Sequence, residues 1–437
     1  MHSTRQRLAV ALSFWKKNLY VVLAMVFVGQ ASFTLVTPFL PYVLKSMAVT
    51  ENLATWSGMA YSASFLTSAI MAPVWGSIAD KYGKRLQILR SGVGIALTYA
   101  IYPAARTPMQ FVLLRGLTGF LSGFIPAATS LVATNTPEEH IGYALGLLQA
   151  ASAAGTISGP LLGGVLVSLL GIPFTFRLSA VTLFAFTVVS FLLLREQVVP
   201  GQDKINVLAD IMTSFKNRDL TVVLICLFLV QAAVQMTQPT LVLYVDLLSE
   251  GKNSTLISGI VYSIAGAGTV LGATLAARPG RNANGQESGV ERRFAAGLIG
   301  SALTAALHGV WVNLFAISLF RLGFGIFSGI LTVAGNVLAA RAVPREFRGR
   351  AFGVLNGVLP LGAVTGPVIG GAMGDSLGLG SSFYASAGVF LLSALIFSAY
   401  SKRAGGRLEK VSLLPILVLL FETVPAAVSK TCATPGT

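Results

Sequence analysis

The 437-residue chain is too apolar for a water-soluble protein, since 54% of its residues are hydrophobic and only 11% are charged, against roughly 25% charged in an average soluble domain. Apolar runs of about 20 residues, the length that crosses a ~30 Å hydrocarbon core, recur along the chain. They predict an all-α membrane protein. The net charge of +15 would suit nucleic-acid binding, but the basic residues follow membrane topology instead, which excludes that class.

Twelve membrane-spanning helices are predicted in chain order. They cover residues 18–43, 54–78, 87–105, 108–134, 142–169, 174–194, 219–247, 255–277, 293–310, 314–340, 349–374 and 381–400. With the N-terminus inside, six of the seven cytoplasmic segments carry four Lys or Arg each, and the opposite face carries only four in all. This positive-inside pattern predicts a multi-pass inner-membrane protein with both termini in the cytoplasm.

An internal repeat divides the chain into two homologous halves. VVLAMVFVGQASFTLVTP, which starts at Val21, matches VVLICLFLVQAAVQMTQP, which starts at Val222. The predicted parts are a cytoplasmic N-terminal segment 1–17, a six-helix half 18–194, a cytoplasmic linker 195–218, a second six-helix half 219–400 and a cytoplasmic tail 401–437. Parallel repeats of this kind place a substrate site between the halves near mid-membrane.

The loop after the second span predicts a conformational latch made of Gly76, Asp80, Gly83 and Arg85. Gly76 allows close approach of another helix, and Gly83 allows a tight turn with positive φ. Asp80 can cap a helix N-terminus or pair with arginines of the second half such as Arg345. A solvated loop whose charge only sets topology is the alternative.

The fifth span carries a glycine–proline set that recurs in the eleventh. Gly155, Gly159 and Gly163 share one helix face, where small residues let helix backbones touch, and Pro160 bends the helix. Plain helix packing is the alternative to a role in a rocking motion. The full set is Gly146, Gly155, Gly159, Pro160, Gly163 and Gly164, repeated as Gly353, Gly362, Gly366, Pro367, Gly370 and Gly371.

Two arginines lie inside predicted spans, Arg115 in the fourth and Arg321 in the tenth. An arginine at the centre of a span costs at least ~2.5 kcal/mol. Each is therefore expected to face a water-filled cavity or a partner, unless it snorkels to the membrane surface. Arg115 is the stronger candidate for a functional role.

Polar and aromatic residues on the first, second, seventh and eighth spans predict the lining of a substrate cavity. Gln231, Gln235 and Gln238 form one helical stripe. Hydrogen bonding between helices is the alternative role for such side chains. The candidates are Gln30, Phe33, Thr34, Tyr61, Phe65, Gln231, Gln235, Gln238 and Tyr262.

Over residues 15–402 the chain resembles the major facilitator superfamily, and in particular its twelve-span drug:proton antiporter branch of bacterial multidrug-resistance transporters. The segment from Gly76 to Arg85 matches the general signature of the superfamily. The segment around Arg115 matches the branch's fourth-span motif, whose arginine is linked to proton transfer. The fifth-span set matches the antiporter motif at every position, which implies export driven by inward proton flow.

The chain also departs from that family pattern. The loop around Arg281 lacks the acid of the second loop signature, and spans one to six contain no acid. A proton carrier must change its protonation state, and burial raises the pKa of an acid toward the range where this happens. Asp246, near the outer end of span seven, is the candidate, with a solvated loop end as the alternative. His308 is a weaker candidate, with a satisfied histidine at the membrane interface as the alternative. Arg115 and Asp246 are therefore the predicted proton-coupling residues.

The predicted function is proton-coupled efflux of small amphipathic or lipophilic compounds by alternating access. Its partners are the substrate, the proton and the lipid bilayer, and a monomer is expected to suffice. A proton-coupled sugar or metabolite exporter is the alternative, because an uncharged glutamine stripe suits hydroxylated ligands. A receptor or enzyme is disfavoured, since no catalytic cluster, metal site or phosphate-binding loop occurs in any span. No cofactor is expected beyond the proton.

Overall fold

The computed structural model describes residues 2–194, 196, 216–277, 289–311, 313–344 and 347–403. Within these ranges the chain is helical, with no β-strand. Most of the predicted linker 195–218, the loop around Arg281, the latch partner Arg345 and nearly all of the predicted tail 401–437 lie outside them. The predicted all-α fold is confirmed for the described part of the chain.

The described residues before the linker form eight α-helices that cover the first six predicted spans. Short 3₁₀ turns join α1 to α2, α4 to α5 and α6 to α7. The helices are α1 (His2–Val36), α2 (Leu40–Ser46), α3 (Leu53–Tyr82), α4 (Lys84–Ile101), α5 (Pro108–Phe120), α6 (Phe124–Asn135), α7 (Ile141–Leu170) and α8 (Ile172–Leu193).

The described residues after the linker form seven α-helices that cover the other six predicted spans. They are α9 (Arg218–Met236), α10 (Gln238–Leu248), α11 (Ser254–Ala277), α12 (Val290–Val310), α13 (Leu314–Arg341), α14 (Arg348–Leu377) and α15 (Ser381–Arg403).

Ten helical segments in the described ranges are long and apolar enough to cross a membrane. The two remaining predicted spans are α4, with 18 residues, and α12, with 21. Helix α4 carries Lys84, Arg85 and Arg90 in its first turns, and α12 is rich in small residues. A helix of 18 residues is about 27 Å long, close to the ~30 Å hydrocarbon core, so helices occupy all twelve predicted spans.

Proline interrupts three of these spans. Proline has no N–H to donate, and its ring collides with the carbonyl group four residues earlier. Pro38 separates α1 from α2, and Pro239 follows the break between α9 and α10 at the equivalent place in the repeat. The fourth span breaks between α5 and α6 ahead of Pro126, whereas its counterpart α13 has Thr332 at that position and is continuous.

The helices form two compact units. The first contains the described parts of residues 1–47 and 63–204, and the second contains those of 48–62 and 205–437. In the first unit α1 packs along α7, and α4 packs along α8. In the second unit α9 packs along α14, and α11 packs along α13. Helix α3 is divided, because its residues up to Ser62 pack with the second unit.

An apolar core holds the first unit together. Val26 of α1, Ile88 of α4, Ala128 of α6 and Ala144 of α7 are all fully buried in it. Inside a bilayer the lipid tails are as apolar as these side chains, so close packing, and not removal from water, holds such helices together. The core therefore fixes the mutual positions of the helices that border the cavity of this unit.

The carboxylate of Asp375 caps the start of α3 within the second unit. Its Oδ1 accepts a hydrogen bond from the Ala54 N–H at 3.1 Å, and its Oδ2 accepts one from the Thr55 N–H at 2.7 Å. The Thr55 hydroxyl donates a third bond at 2.6 Å. A carboxylate at a helix N-terminus satisfies free N–H groups and interacts favourably with the helix dipole.

Candidate functional site

The first unit contains a cavity of about 490 Å³, within the usual size range of small-molecule sites. Phe33, Phe65, Trp75 and Phe124 form its aromatic walls. The polar side chains that line it are those of Gln30, Ser64, Ser68, Asp80, Lys84, Gln87, Thr118, Ser122 and Ser130. Apolar walls with a few polar groups suit an amphipathic organic molecule.

Three of the residues predicted to line a cavity do line this one, namely Gln30, Phe33 and Phe65. The Gln30 side chain is held by α7, because its Nε2 donates to the hydroxyl of Thr156 at 3.2 Å. Gln30 therefore presents a side chain of fixed orientation to the cavity.

Thr34 is not among the residues that line this cavity, in contrast to the prediction. Its hydroxyl donates to the carbonyl groups of Gln30 at 2.8 Å and of Gly155 at 3.2 Å. The second of these bonds ties α1 to α7. Thr34 therefore has the alternative role of such side chains, which is hydrogen bonding between helices.

The other predicted cavity residues belong to the second unit. Tyr61 is fully buried there and is hydrogen-bonded to Tyr262. The Tyr262 hydroxyl donates to the Gln238 carbonyl at 3.0 Å. Gln231, Gln235 and Gln238 are half-buried along α9 and the start of α10. Tyr61 and Tyr262 thus form a hydrogen-bonded pair that reaches the break between α9 and α10.

Arg115 on α5 is 1% exposed, so it does not snorkel to the membrane surface. Its guanidinium carbon lies 5.8 Å from the ring centre of Phe33, a cavity residue on α1. Its backbone carbonyl accepts a hydrogen bond from the Ser64 hydroxyl of α3 at 2.9 Å. Arg115 is therefore a buried cation that contacts an aromatic wall of the cavity from behind.

The second unit buries a pair of basic side chains, Arg321 and His308. Arg321 is 4% exposed, and its Nη2 donates to the Thr237 hydroxyl at 3.2 Å. The His308 ring stacks on Phe383 with the ring centres 5.4 Å apart, and the Arg321 guanidinium lies 5.9 Å from the same ring. His308 Nε2 has no partner among the described residues. His308 is thus buried, and its Nδ1 lies 2.5 Å from the Thr304 carbonyl oxygen.

The predicted latch residues occupy the connection between α3 and α4. Gly83 has φ +102°, as expected for the tight turn. Gly76 faces open space, because a Cβ there would meet no atom within 4 Å, so the expected close approach is not observed. Asp80 is exposed at the end of α3 and lines the cavity.

Glu196, rather than Asp80, caps the N-terminus of α4. Its carboxylate accepts hydrogen bonds from the Lys84 N–H at 2.9 Å and from the Arg85 N–H at 2.7 Å. The Arg85 guanidinium donates to the Phe191 carbonyl and lies 5.2 Å from the Phe191 ring centre. The capping role offered for Asp80 is therefore wrong for this helix. Glu196 is far away in sequence and has no local capping pattern, which is why sequence reasoning missed it.

The fifth-span glycines form the contact between α7 and α1. A Cβ on Gly155, Gly159 or Gly163 would lie 2.6, 2.6 and 2.0 Å from the carbonyl oxygens of Phe27, Ala31 and Leu35, respectively. In the second unit a Cβ on Gly362, Gly366 or Gly370 would lie 2.5, 2.3 and 1.8 Å from the carbonyl oxygens of Phe228, Ala232 and Met236, respectively. Both units thus use the motif for the same backbone contact.

The remaining motif residues differ in their surroundings. Pro160 and Gly164 are buried inside α7. Gly146 and its counterpart Gly353 meet nothing within 4 Å. The motif therefore combines glycines that the helix contact requires with one that it does not.

Asp246, the predicted proton carrier, lies near the end of α10 and is half-buried. Its backbone carbonyl accepts a hydrogen bond from the Ser249 hydroxyl at 3.2 Å. Arg115 and Asp246 belong to different units, so neither unit by itself brings the two predicted proton-coupling residues together.

The sequence matches the family model described as Major Facilitator Superfamily over residues 22–285 and 286–420. It is 33% identical to multidrug resistance protein MdtG of Rahnella sp. (strain Y9602) over 389 residues, which cover 87% of this chain and 92% of that protein. It is 34% identical to multidrug resistance protein MdtG of Salmonella typhimurium over 386 residues, 87% of this chain and 94% of that protein.

Solved structures share the fold at low sequence identity. The nucleoside transporter NupG matches with a TM-score of 0.74 and 15% identity over 87% of this chain and 98% of that one. A bacterial homologue of the human lysosomal transporter Spinster, inward-facing and unoccupied, matches with a TM-score of 0.72 and 14% identity over 91% of this chain and 99% of that one. Identity this low supports the fold alone.

Proposed function

The chain belongs to the major facilitator superfamily and is a transporter rather than an enzyme, and we propose that it is a proton-coupled antiporter that exports small amphipathic or lipophilic compounds. The observation that carries the proposal is the identity of 33 to 34% with relatives named multidrug resistance protein, over about nine-tenths of the chain. The aromatic cavity of the first unit supports it, because such walls accept many apolar molecules.

The proposed mechanism is alternating access in the inner membrane, with both termini in the cytoplasm and a monomer as the functional unit. The coupling ion is the proton, and no other cofactor is needed. Arg115 is the proposed coupling residue because its guanidinium lies behind the cavity wall, close to the Phe33 ring. The attraction between this cation and the ring depends on the charges nearby. Asp246 is the proposed proton carrier because a carboxylic acid can gain and lose a proton during the cycle.

The direct test is efflux in a bacterial host that lacks its own multidrug pumps. Expression should raise resistance to lipophilic compounds and lower the accumulation of a lipophilic dye, and a protonophore should abolish both effects. In everted vesicles with an imposed pH gradient, adding substrate should release protons, which a pH-sensitive dye reports. Absence of resistance, together with dye efflux that ignores the protonophore, would contradict the proposal.

A second candidate is a proton-coupled exporter of sugars or other hydroxylated metabolites. Neutral hydrogen-bonding side chains on the cavity wall favour it, namely Gln30, Ser68, Gln87 and Ser122. Efflux of a radiolabelled sugar from loaded vesicles, compared with efflux of the lipophilic dye from the same preparation, separates the two candidates.

A further inference from the structure

The break in the fourth span creates a set of unsatisfied hydrogen-bond donors beside the cavity. Gly123 has φ +114° and ends the connection between α5 and α6. Pro126 accounts for the break, because it cannot donate to the Ser122 carbonyl four residues earlier. In the second unit Gly329 occupies the equivalent place inside the unbroken helix α13, where a Cβ would lie 2.1 Å from the Thr269 carbonyl oxygen. The opening is therefore specific to the first unit.

Neighbouring side chains satisfy the acceptors that the break leaves free. The Trp75 indole N–H donates to the Phe120 carbonyl at 2.7 Å. The Nη2 of Arg90 donates to the Ser122 carbonyl at 2.8 Å, and the Arg90 guanidinium stacks 3.4 Å from a Trp75 ring centre. The Phe120 and Ser122 carbonyl oxygens are thus already hydrogen-bonded.

Among the residues that the structure describes, the donors at the break have no such partners. The first N–H groups of a helix have no acceptor within it, and α6 has no side-chain cap. Gln87 on α4 is 2% exposed, and its Nε2 has no partner among the described residues. Its Oε1 accepts from the Arg90 Nε at 3.0 Å, which fixes the direction of the amide.

Gln87 lies at the start of α6. A Cβ built on Gly123 would be 2.6 Å from the Gln87 Nε2, so the absence of a side chain at Gly123 makes room for the amide. Gln87, Gly123, Phe124 and Ile125 all line the same cavity. The Gln87 amide, whose Oε1 is bonded to Arg90, and the N-terminus of α6 thus border the same cavity.

The charge around this point is positive. The N-terminus of a helix carries about half a positive charge, and the Arg90 guanidinium is joined to both Gln87 and Ser122. The acidic side chain that lines the cavity is Asp80, which is exposed at the end of α3. A ligand oxygen here would be favoured by charge as well as by hydrogen bonds.

We propose that Gln87 and the N-terminus of α6 form a subsite for a carboxylate, so that the transporter takes acidic amphipathic compounds whose ring system lies among Phe33, Phe65, Trp75 and Phe124. This inference rests on the proposed function and names its substrate class. The carboxylate oxygens accept from the Gln87 Nε2 and from the first N–H groups of α6. The aromatic walls receive the apolar part.

The test is binding to the purified full-length protein in lipid nanodiscs, with three probes that share one ring system. We expect 2-naphthoate to bind at least about tenfold more tightly than 2-naphthylmethylammonium, with neutral 2-naphthamide between them, as hydrogen bonds to a charged group are worth more than neutral ones. Equal affinity for naphthoate and the ammonium compound overturns the proposal. Tight binding of 2-naphthamide alone also overturns it, because the subsite would then recognise a carbonyl group and not a negative charge.

Gln87→Glu is the decisive variant, because it keeps the acceptor for Arg90 and replaces the free donor with a carboxylate. It should weaken naphthoate binding by about tenfold or more and leave the ammonium compound unaffected or better bound. Gln110→Glu makes the same change on an exposed residue of α5, whose Oε1 accepts from the Arg106 N–H, and it should leave all three affinities unchanged. Unchanged naphthoate affinity in Gln87→Glu refutes the subsite.

If Gln87→Glu does not fold, Gln87→Met removes the donor, together with the acceptor for Arg90, at similar volume and without new charge. It should weaken naphthoate binding and leave ammonium binding as it was.

Failure of this inference differs from failure of the proposed function. Proton-driven efflux of uncharged dyes with no preference for naphthoate would support the proposed function and refute the subsite. Preferential naphthoate binding without proton-coupled efflux would support the subsite and refute the proposed function.

Discussion

A methyl group added to Gly163 would lie 2.0 Å from the carbonyl oxygen of Leu35. Real Cβ atoms do not approach an oxygen so closely, so α7 and α1 can pack as they do only with glycine at this position. Gly370 of α14 and Met236 of α9 repeat the relationship at 1.8 Å. The glycine–proline motif is thus, in each unit, first of all a requirement of helix packing.

Gly163→Ala should separate α7 from α1 and lower the free energy of unfolding by about 1–3 kcal/mol, as overpacking does. Thermal unfolding of the purified protein measures this. Gly146→Ala is the matched control on the same helix, because nothing lies within 4 Å of its position. If both variants lose the same stability, the close contact is not what the motif's glycines provide.

Arg115→Ala should uncouple export from the proton gradient, because it removes the buried cation behind Phe33. The dependence of export on the gradient is measured as dye transport in everted vesicles, with and without a pH gradient. Arg177→Ala, which removes an exposed arginine from α8, should leave coupling intact. Gradient-driven efflux at the wild-type rate in Arg115→Ala would show that the proposed role is wrong.

Asp80→Asn should slow turnover, because it removes the charge of the proposed latch. It should not reduce the amount of protein in the membrane, because an exposed side chain contributes little to folding. Transport rates normalised to the amount of protein test this prediction of a latch. Glu138→Gln neutralises another exposed acid, in the short turn before α7, and should transport normally. Wild-type turnover in Asp80→Asn would remove the latch as an explanation for this residue.

Asp375→Ala should destabilise the second unit by about 1–2 kcal/mol, the usual cost of losing an N-terminal cap. A double-mutant cycle with Thr55→Ala isolates the shared hydrogen bond, with thermal unfolding as the readout. Ser376→Ala, next to the cap but bonded only to the carbonyl of its own helix at Ala372, should be neutral. Additive losses in the Asp375 and Thr55 variants would show that the hydroxyl bond contributes nothing, and wild-type stability in Asp375→Ala would contradict the cap.

Hydropathy, charge and repeats determined the helices. A bilayer requires about 20 apolar residues per span and leaves backbone groups no water to bind, so each apolar run had to be a helix. The repeat likewise predicted that Gly155, Gly159 and Gly163 would have counterparts in Gly362, Gly366 and Gly370. These features depend on local composition and spacing, which the sequence shows directly.

Only the tertiary structure decided where the polar side chains point. Thr34 and Gln30 are four residues apart on one helix and both bond to α7, yet of the two only Gln30 lines the cavity. Glu196 caps α4 from a distant part of the chain. Pro126 was visible in the sequence, but its consequence depends on Arg90 and Gln87 of a neighbouring helix. A polar group in a membrane is placed by the partner that satisfies it, and that partner is known only once the helices are packed.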